Sequence, residues 1–346
     1  MTSGNADSRR LGSADLLQVR GLATHFPVRT GVFGKVRDLC RAVDGVSFDI
    51  PEGTTLGLVG ESGCGKTTLA RTILRLVAAA AGEVWFDGVN VLVASRNRLR
   101  QLRRDLQIVF QDPFGSLDPR QTIGETVGEP LDIHRTLPPR NRRARVDELL
   151  DLVGLDSSSS VRYPHEFSGG QRQRIGIARA LALNPRFIIC DEPVSALDVS
   201  IQAQILNLLR DLQCHLKLTY LFIAHDLAVV RYVSDRVAVM YLGRLVEMGD
   251  TTDLFDDPRH PYTRTLLAAV PQLDPVRRRL RQSQAKTEDA ASPIISRSGC
   301  AFRAQCSLAS EQCRLQTPEL YCRKCLAPGH LVACHHADEA ETAKVP

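Results

Sequence analysis

A glycine-rich octapeptide is the first segment of this chain whose residue types suggest a chemistry. Residues 60–67 read Gly-Glu-Ser-Gly-Cys-Gly-Lys-Thr. Glycines let such a loop fold back, so that its backbone N–H groups point inward at phosphate oxygens. A lysine there can reach the β- and γ-phosphates of a nucleotide, and a threonine hydroxyl can bind Mg²⁺. The segment predicts a nucleotide-phosphate site whose candidate contacts are Gly60, Glu61, Ser62, Gly63, Cys64, Gly65, Lys66, Thr67 and the following Thr68.

Apolar runs on both sides of this loop indicate the elements that position it. Residues 56–59 form a short apolar run that predicts a buried strand, and residues 67–77 have helical spacing. This context disfavours the alternative, a glycine-rich turn before an ordinary helix. Strands alternating with helices predict an α/β fold with a parallel sheet. The other predicted strands are 84–91, 106–110, 187–191, 218–224 and 236–241, and an amphipathic helix carries Ile201, Ile205, Leu208 and Leu212 on one face.

Two adjacent carboxylates follow the predicted strand 187–191. Because ligands of α/β sheets bind at the carboxyl ends of the strands, Asp191 and Glu192 are expected at such a site. Asp191 is predicted to help hold Mg²⁺, and Glu192 to polarise the water that attacks the phosphate. A solvated acidic turn is the alternative that an isolated Asp-Glu pair leaves open.

A Ser-Gly-Gly-Gln stretch gives these motifs a more specific meaning. Ser168, Gly169, Gly170 and Gln171 precede a predicted helix, so their N–H groups would lie at a helix N-terminus suited to an anion. Together with the glycine-rich loop and the Asp-Glu pair, this stretch resembles the ATP-binding cassette superfamily. The resemblance implies a P-loop nucleotide-binding domain with an inserted helical subdomain. It also implies that two such domains clamp ATP between them, each completing the other's site.

The same resemblance implies roles for further residues. Gln111 would sense the γ-phosphate or the metal, and His225 would contact the γ-phosphate. Asp198 would belong to the loop after the carboxylate pair, and Phe26 is the candidate for stacking on adenine. The implied catalytic residues are Glu192, His225 and Gln111, and the implied Mg²⁺ ligands are Thr67, Gln111 and Asp191.

Residues 110–119, 163–167, 192–200 and 260–263 resemble one branch of that superfamily, the ATP-binding subunits of oligopeptide/dipeptide and nickel importers. This resemblance implies ATP hydrolysis coupled to uptake of di- or oligopeptides at the cytoplasmic face of the membrane. The implied partners are a second, related ATP-binding subunit, two membrane permeases and an external peptide-binding protein. Import of nickel or another small solute remains an alternative, as does a soluble cassette ATPase that acts on nucleic acid or ribosomes.

Composition shifts divide the chain. We expect a disordered leader at 1–14, the ATP-binding domain at 15–265 with its helical subdomain at about 112–165, and a linker at 266–298. A cysteine-rich C-terminal module follows at 299–336, and a tail at 337–346.

Six cysteines lie in the C-terminal module, which is too short to bury much apolar surface. In a reducing cytoplasm, thiolates favour Zn²⁺ or an iron–sulfur cluster over disulfides, although reduced thiols and disulfides remain alternatives. Cys322 and Cys325 could replace one ligand pair. The candidate ligands are Cys300, Cys306, Cys313 and Cys334. Separately, the electropositive loop predicts a lowered pKa for the thiol of Cys64. The alternative, that Cys64 is present only because a small side chain packs well at this position, explains the residue equally well.

The composition fits these interpretations. Hydrophobic residues make up 43% of the chain and charged residues 24%, as in ordinary soluble proteins. A net charge of +5 fits a surface that faces nucleotide or anionic headgroups, and it does not require nucleic acid as a partner. The sequence has no apolar run of membrane-spanning length and no apolar segment near its N-terminus, so a cytoplasmic location is expected.

Overall fold

The structure, a computed structural model, describes residues 15–30, 35–112, 115–269, 299–322 and 329–338. Its strands are β1 (Asp15–Thr30), β2 (Lys35–Pro51), β3 (Thr55–Val59), β4 (Ala81–Phe86), β5 (Val89–Asn90), β6 (Leu106–Val109), β7 (Phe187–Asp191), β8 (Thr219–Ile223), β9 (Arg236–Tyr241), β10 (Arg244–Asp250), β11 (Tyr321–Cys322) and β12 (Leu331–Val332). Its α-helices are α1 (Lys66–Ile73), α2 (Arg96–Asp105), α3 (Ile123–His134), α4 (Pro139–Leu152), α5 (Gly169–Leu181), α6 (Val199–Leu216), α7 (Leu227–Val233), α8 (Thr251–Asp256), α9 (Pro261–Ala268) and α10 (Glu311–Leu315). The expected leader, most of the expected linker and the end of the tail lie outside the described residues.

A parallel sheet forms the centre of the fold. Within an eight-stranded sheet of order β11-β12-β10-β9-β3-β8-β7-β6, the five strands from β9 to β6 run parallel. Every residue of β3, β7 and β8 is buried, because helices cover both faces of the sheet. The predicted α/β fold is therefore confirmed, and the apolar runs 187–191, 218–224 and 236–241 correspond to β7, β8 and β9.

A second, antiparallel sheet has the order β2-β1-β4-β5. Its strands β1 and β2 are long and are paired over most of their length. Several shifts of register interrupt their pairing, and such bulges break the apolar alternation by which strands are read from sequence. Thr24 of β1 and Thr72 of α1 share a buried hydrogen bond of 2.9 Å, which joins this sheet to the helix after the glycine-rich loop.

The chain between β6 and β7 is helical. The hydroxyl of Thr122 accepts a hydrogen bond from the backbone N–H of Glu125, whose side chain accepts from Thr122 in return, so a capping box fixes the start of α3. Helices α3, α4 and α5 pack on one another through a shared apolar core that includes Ile123, Val127, Leu149, Leu150 and Ile175. None of the helices in the described ranges is long and apolar enough to cross a membrane.

The cysteine-rich segment contributes to the main sheet. Strand β12 pairs antiparallel with β10, and β11 pairs with β12. Glu247 of β10 is fully buried, and its carboxyl group accepts hydrogen bonds from the backbone N–H groups of Arg259 and His260. The same group lies 2.8 Å from Nε2 of His330, next to β12. A buried polar centre thus joins β10, the start of α9 and the C-terminal segment.

Burial of His260 makes the stability of this region depend on pH. Its imidazole packs against the ring of Phe302, and burial lowers the pKa of His260 to about 4, although the nearby Glu247 opposes the shift. As pH falls from 6.5 to about 4, the unfolded chain therefore binds a proton that the folded protein excludes. The stability that this residue contributes is complete above pH 6.5 and is lost across that window, by up to about 3 kcal/mol.

We expect His260→Asn to weaken this acid dependence. Nδ1 of His260 accepts the backbone N–H of Tyr262, and an asparagine oxygen can accept the same bond without titrating. The free energy of unfolding, measured by denaturant titration between neutral pH and pH 4, should fall less steeply for the variant than for the wild type. His215→Asn, on the exposed face of α6, is the control and should keep the wild-type slope. Equal slopes for His260→Asn and wild type would contradict the assignment.

Candidate functional site

Four parallel strands end at the same edge of the main sheet, and the predicted motifs follow those ends. The glycine-rich loop follows β3, and Gln111 lies just beyond β6. Asp191 is the last residue of β7, and Glu192 comes next. His225 lies just beyond β8. Residues far apart in the sequence are therefore gathered where ligands of α/β sheets bind.

The glycine-rich loop is curled around the side chain of Lys66. The ammonium group donates to the carbonyl oxygens of Gly60 at 2.7 Å and Glu61 at 2.9 Å. Lys66 is also the first residue of α1, whose N-terminal N–H groups face the same loop. The buried ammonium and the helix end together make this loop a positively charged site for phosphate groups.

Close backbone approaches explain two of the glycines. A Cβ on Gly60 would lie 2.2 Å from the carbonyl oxygen of Met240, and one on Gly65 would lie 2.0 Å from that of Ala42. Gly65 also has a φ of 111°, which side chains disfavour. The loop thus lies tightly between β9 and the middle of β2, and these positions admit only glycine.

Thr67 and Asp191 bring two oxygen ligands together. The Thr67 hydroxyl donates to Oδ1 of Asp191 at 3.0 Å. Burial raises the pKa of the Asp191 carboxyl group. The hydrogen bond from Thr67 lowers this pKa, and the negative charge of the neighbouring Glu192 raises it further. A cation beside this carboxylate would offset its burial, and hydroxyl and carboxylate oxygens are ligands that Mg²⁺ prefers. The pair therefore fits the Mg²⁺ role that the sequence predicts.

Gln111 and His225 both approach one oxygen of Glu192. Nε2 of Gln111 donates to Oε2 of Glu192 at 2.8 Å, and Nδ1 of His225 lies 3.4 Å from the same oxygen. Glu192 has a φ of 47°, in the left-handed region, and its N–H donates to the carbonyl of Ile223 at 3.0 Å. A carboxylate held in a disfavoured backbone conformation is a common feature of functional sites. The three predicted catalytic residues therefore form one cluster.

The Ser-Gly-Gly-Gln stretch forms the start of α5. The Ser168 hydroxyl accepts from the N–H of Gln171, whose side chain accepts from the N–H of Ser168. Side-chain bonds of both residues thus stay within one turn, with the helix N-terminus exposed beside them. A Cβ on Gly170 would lie 2.4 Å from the side chain of Ile201, so α6 packs directly against this turn.

Two other candidates lie on the surface. Asp198 is exposed immediately before α6. Phe26 lies on β1 opposite Cys40, with 41% of its surface exposed, as an aromatic ring must be to stack on a base. Their assignments stay predictions.

The prediction of a lowered pKa for the Cys64 thiol is wrong. Cys64 is buried, and this burial raises the pKa of its thiol despite the nearby positive charge of Lys66. The ammonium instead points at loop carbonyls, with the Cys64 sulfur 3.8 Å away. Desolvation of the thiolate outweighs that attraction, so Cys64 acts here as a small packed side chain.

The four candidate cysteine ligands are neighbours in space. Burial raises the pKa of the Cys334 thiol to about 11, and a hydrogen bond from the backbone N–H of His336 partly opposes this rise. The three other thiols lie close enough to raise the pKa of Cys334 further. The N–H of Cys300 donates to the carbonyl of Cys313 at 2.7 Å. Nevertheless, over the parts of the chain that the structure describes, no group of three or more candidate ligands has a geometry that would hold a metal ion. Cys322 is exposed, and Cys325 lies outside the described residues.

Tyr262 also belongs to this site, although no sequence motif indicates it. Its hydroxyl accepts a hydrogen bond of 3.0 Å from the backbone N–H of Glu61, within the glycine-rich loop. The segment 260–263 had been noted only for its resemblance to one branch of a family. Nothing in that segment indicated a contact with a loop 201 positions earlier in the chain.

Comparisons with known proteins agree with this geometry. Residues 43–195 match the family model of ABC transporters, and residues 246–313 match that of the oligopeptide/dipeptide transporter C-terminal region. The oligopeptide transport ATP-binding protein AppF of Bacillus subtilis is 48% identical over 336 residues, which cover 97% of this chain and 99% of AppF. A putative peptide import ATP-binding protein of Brucella ovis is 51% identical over 319 residues, which cover 92% of this chain and 97% of that protein.

A solved structure has a similar fold. The dimeric, post-hydrolysis ATP-binding cassette MJ0796 bound to ADP and Pi superposes with a TM-score of 0.60 and 29% sequence identity. The match covers 68% of this chain and 98% of that one.

Proposed function

This chain belongs to the ABC transporter family as an ATP-binding subunit, and we propose that it hydrolyses ATP to drive import of di- or oligopeptides. The observation that carries the activity is the convergence of Gln111 and His225 on Glu192, next to the Thr67–Asp191 pair. The identification of peptides as the transported solute rests on the alignment of nearly the whole chain with peptide-import subunits. The C-terminal match to the oligopeptide/dipeptide transporter region favours this branch over a cassette ATPase that acts on nucleic acid.

Each residue near the nucleotide has one task in this proposal. Backbone N–H groups of residues 60–67 hold the phosphates, and Lys66 moves from its two carbonyl partners to the β- and γ-phosphates. Thr67 and Asp191 would hold Mg²⁺, with Gln111 as a further ligand, and the bound ion would supply positive charge to offset that of the phosphates. Glu192 accepts a proton from the attacking water while His225 contacts the γ-phosphate. The ring of Phe26 stacks on adenine, and the remaining loop contacts come from Ser62 and Thr68.

We expect Glu192→Gln to slow ATP hydrolysis by a factor of about 10²–10⁴, or about 3–5 kcal/mol of activation barrier. Glutamine keeps the size of the side chain but cannot take up the proton, so binding of ATP should persist. Phosphate release and nucleotide affinity should both be measured, with Glu148→Gln on the exposed surface of α4 as control. Hydrolysis at the wild-type rate in Glu192→Gln would rule out the proposed role.

A second nucleotide-binding subunit completes the site. In this proposal the turn at Ser168, Gly169, Gly170 and Gln171, of which Ser168 and Gln171 are exposed, faces the γ-phosphate on the opposing subunit, with Asp198 at the same interface. The N-terminus of α5 gives that turn a partial positive charge, which favours binding of an anion such as phosphate. Because the sequence of this chain carries one such set of motifs, its partner in this proposal is a second, related subunit.

Ser168→Arg in this chain alone tests the shared site. The bulky side chain should block one of the two composite sites, so ATP hydrolysis by the assembled complex falls while the second site still binds nucleotide. Thr252→Arg, which places the same charge on an exposed position of α8, should leave hydrolysis unchanged. Wild-type hydrolysis with Ser168→Arg would count against a nucleotide held between subunits.

The remaining partners follow from the same proposal. Residues at about 112–165, with α3 and α4, act as the helical subdomain that contacts two membrane permeases, to which an external binding protein delivers peptide. The protein therefore works at the cytoplasmic face of the membrane. Residues 15–265 form its ATP-binding domain, 266–298 a linker and 299–336 the C-terminal module.

In this proposal Cys300, Cys306, Cys313 and Cys334 would hold an iron–sulfur cluster or Zn²⁺ only after their thiols move together, since the described residues contain no group already arranged around an ion. Backbone N–H groups point at three of the four sulfurs, as they do at metal-bound thiolates, and the four thiols are mutual neighbours. Protein purified anaerobically should absorb visible light if the cysteines hold an iron–sulfur cluster. If they hold zinc instead, the protein should contain one equivalent of zinc and should not absorb visible light. Protein that carries neither iron nor zinc, with all four thiols titratable, would overturn this part of the proposal.

A further inference from the structure

One peptide group of the phosphate loop is held from both sides. The carbonyl of Gly60 accepts from the Lys66 ammonium at 2.7 Å, and the N–H of Glu61 donates to the Tyr262 hydroxyl at 3.0 Å. These two atoms belong to the same peptide plane, so the two hydrogen bonds together fix its rotation. Gly60 has a φ of 156°, and glycine gives this peptide the greatest freedom to rotate if either bond is lost.

The Tyr262 side chain is itself held rigidly. It is 1% exposed, and its ring lies 4.5 Å from the ring of Tyr241 and 5.5 Å from that of Phe302. Its backbone N–H donates to Nδ1 of His260 at 3.1 Å, at the start of α9. Only the hydroxyl group reaches the loop, and packing leaves the ring no alternative position.

This support reaches into the C-terminal segment. Phe302 belongs to that segment, and its ring also packs edge-on against Tyr241, at 5.4 Å. Glu247 fixes the start of α9 through the backbone N–H of His260, and it also pairs with His330 next to β12. The position of the Tyr262 hydroxyl therefore depends on residues at least 40 positions beyond it in the chain.

We propose that Tyr262 is a positioning residue for ATP binding: its hydroxyl orients the 60–61 peptide, and this peptide sets where the Lys66 ammonium lies before phosphate arrives. The inference rests on the proposed ATPase function and deepens it. With the hydroxyl in place, the loop is preorganised for the β- and γ-phosphates, and binding does not have to order it. Once nucleotide is bound, Lys66 has left the Gly60 carbonyl, so the contribution is to binding rather than to the chemical step.

Tyr262→Phe removes the hydroxyl and keeps the ring in the aromatic cluster. We expect the full chain to bind MgATP about threefold to tenfold more weakly, the effect of losing one hydrogen bond. In the assembled transporter, KM for ATP should rise by a similar factor, while kcat at saturating ATP stays within about twofold of wild type. Equilibrium titration with a fluorescent ATP analogue and steady-state phosphate release measure the two quantities.

Two matched variants separate positioning from stability. Tyr220→Phe also removes a buried hydroxyl, one that donates to the carbonyl of Leu209, away from the nucleotide. Tyr241→Phe removes the other hydroxyl of the same aromatic cluster, which makes no hydrogen bond to residues 60–67 in the described structure. Both should bind MgATP as wild type does, even where Tyr220→Phe lowers the unfolding temperature as much as Tyr262→Phe.

The outcomes distinguish this inference from the proposed function. Wild-type affinity in Tyr262→Phe would overturn the positioning role, as would an equal loss of affinity in Tyr220→Phe. A fall in kcat without a rise in KM would also overturn it, because the hydroxyl would then act in the chemical step. If the wild-type protein itself neither bound nor hydrolysed ATP, with or without its partners, the ATPase function would fail instead.

Discussion

Parallel hydrogen bonding among β3, β8, β7 and β6 is the constraint on which the nucleotide site depends. Leu58 and Asp191 both lie opposite Ile223, and Val109 lies opposite Cys190, so the four strands end level with one another. Each motif begins within two or three residues of such an end. A shift of one residue in any pairing would turn its catalytic side chain toward the other face of the sheet. Every side chain of β3, β7 and β8 is buried, so a shift would have to repack the side chains on both faces of the sheet.

Buried polar groups around this edge are tied to backbone atoms of other elements. Lys66 bonds to two carbonyls of its own loop, and Glu247 bonds to two N–H groups at the start of α9. An unpaired buried charge would be strongly destabilising, so each of these groups restricts the backbone it contacts. In the proposed function, nucleotide binding replaces the bonds of Lys66 with bonds to phosphate, whereas the bonds of Glu247 stay intact throughout. One polar centre is therefore poised for exchange, and the other is structural.

The sequence was most informative where a function is encoded in a short, contiguous motif. Residues 60–67, the Asp191–Glu192 pair and the strands beside them could be located because local pattern and strand period agree. Contacts that join distant segments could not be predicted: the bond of Tyr262 to the loop and the pairing of β10 with β12 leave no local signal. The Cys64 thiol was misjudged for a related reason, since its charge environment is visible in the sequence and its burial is not.

The pairing of β12 with β10 also bears on how the protein can be shortened. Among the described residues, Glu247 pairs with Val332 and Met248 with Leu331 on that side of β10, and the N–H of Ala333 donates to the carbonyl of Val246. Truncation before the cysteine-rich segment would uncover the backbone groups of a strand that is now mostly buried, and such an unpaired strand edge promotes aggregation. A minimal cassette designed from this chain would therefore need a lysine or proline along that exposed strand edge to avoid aggregation.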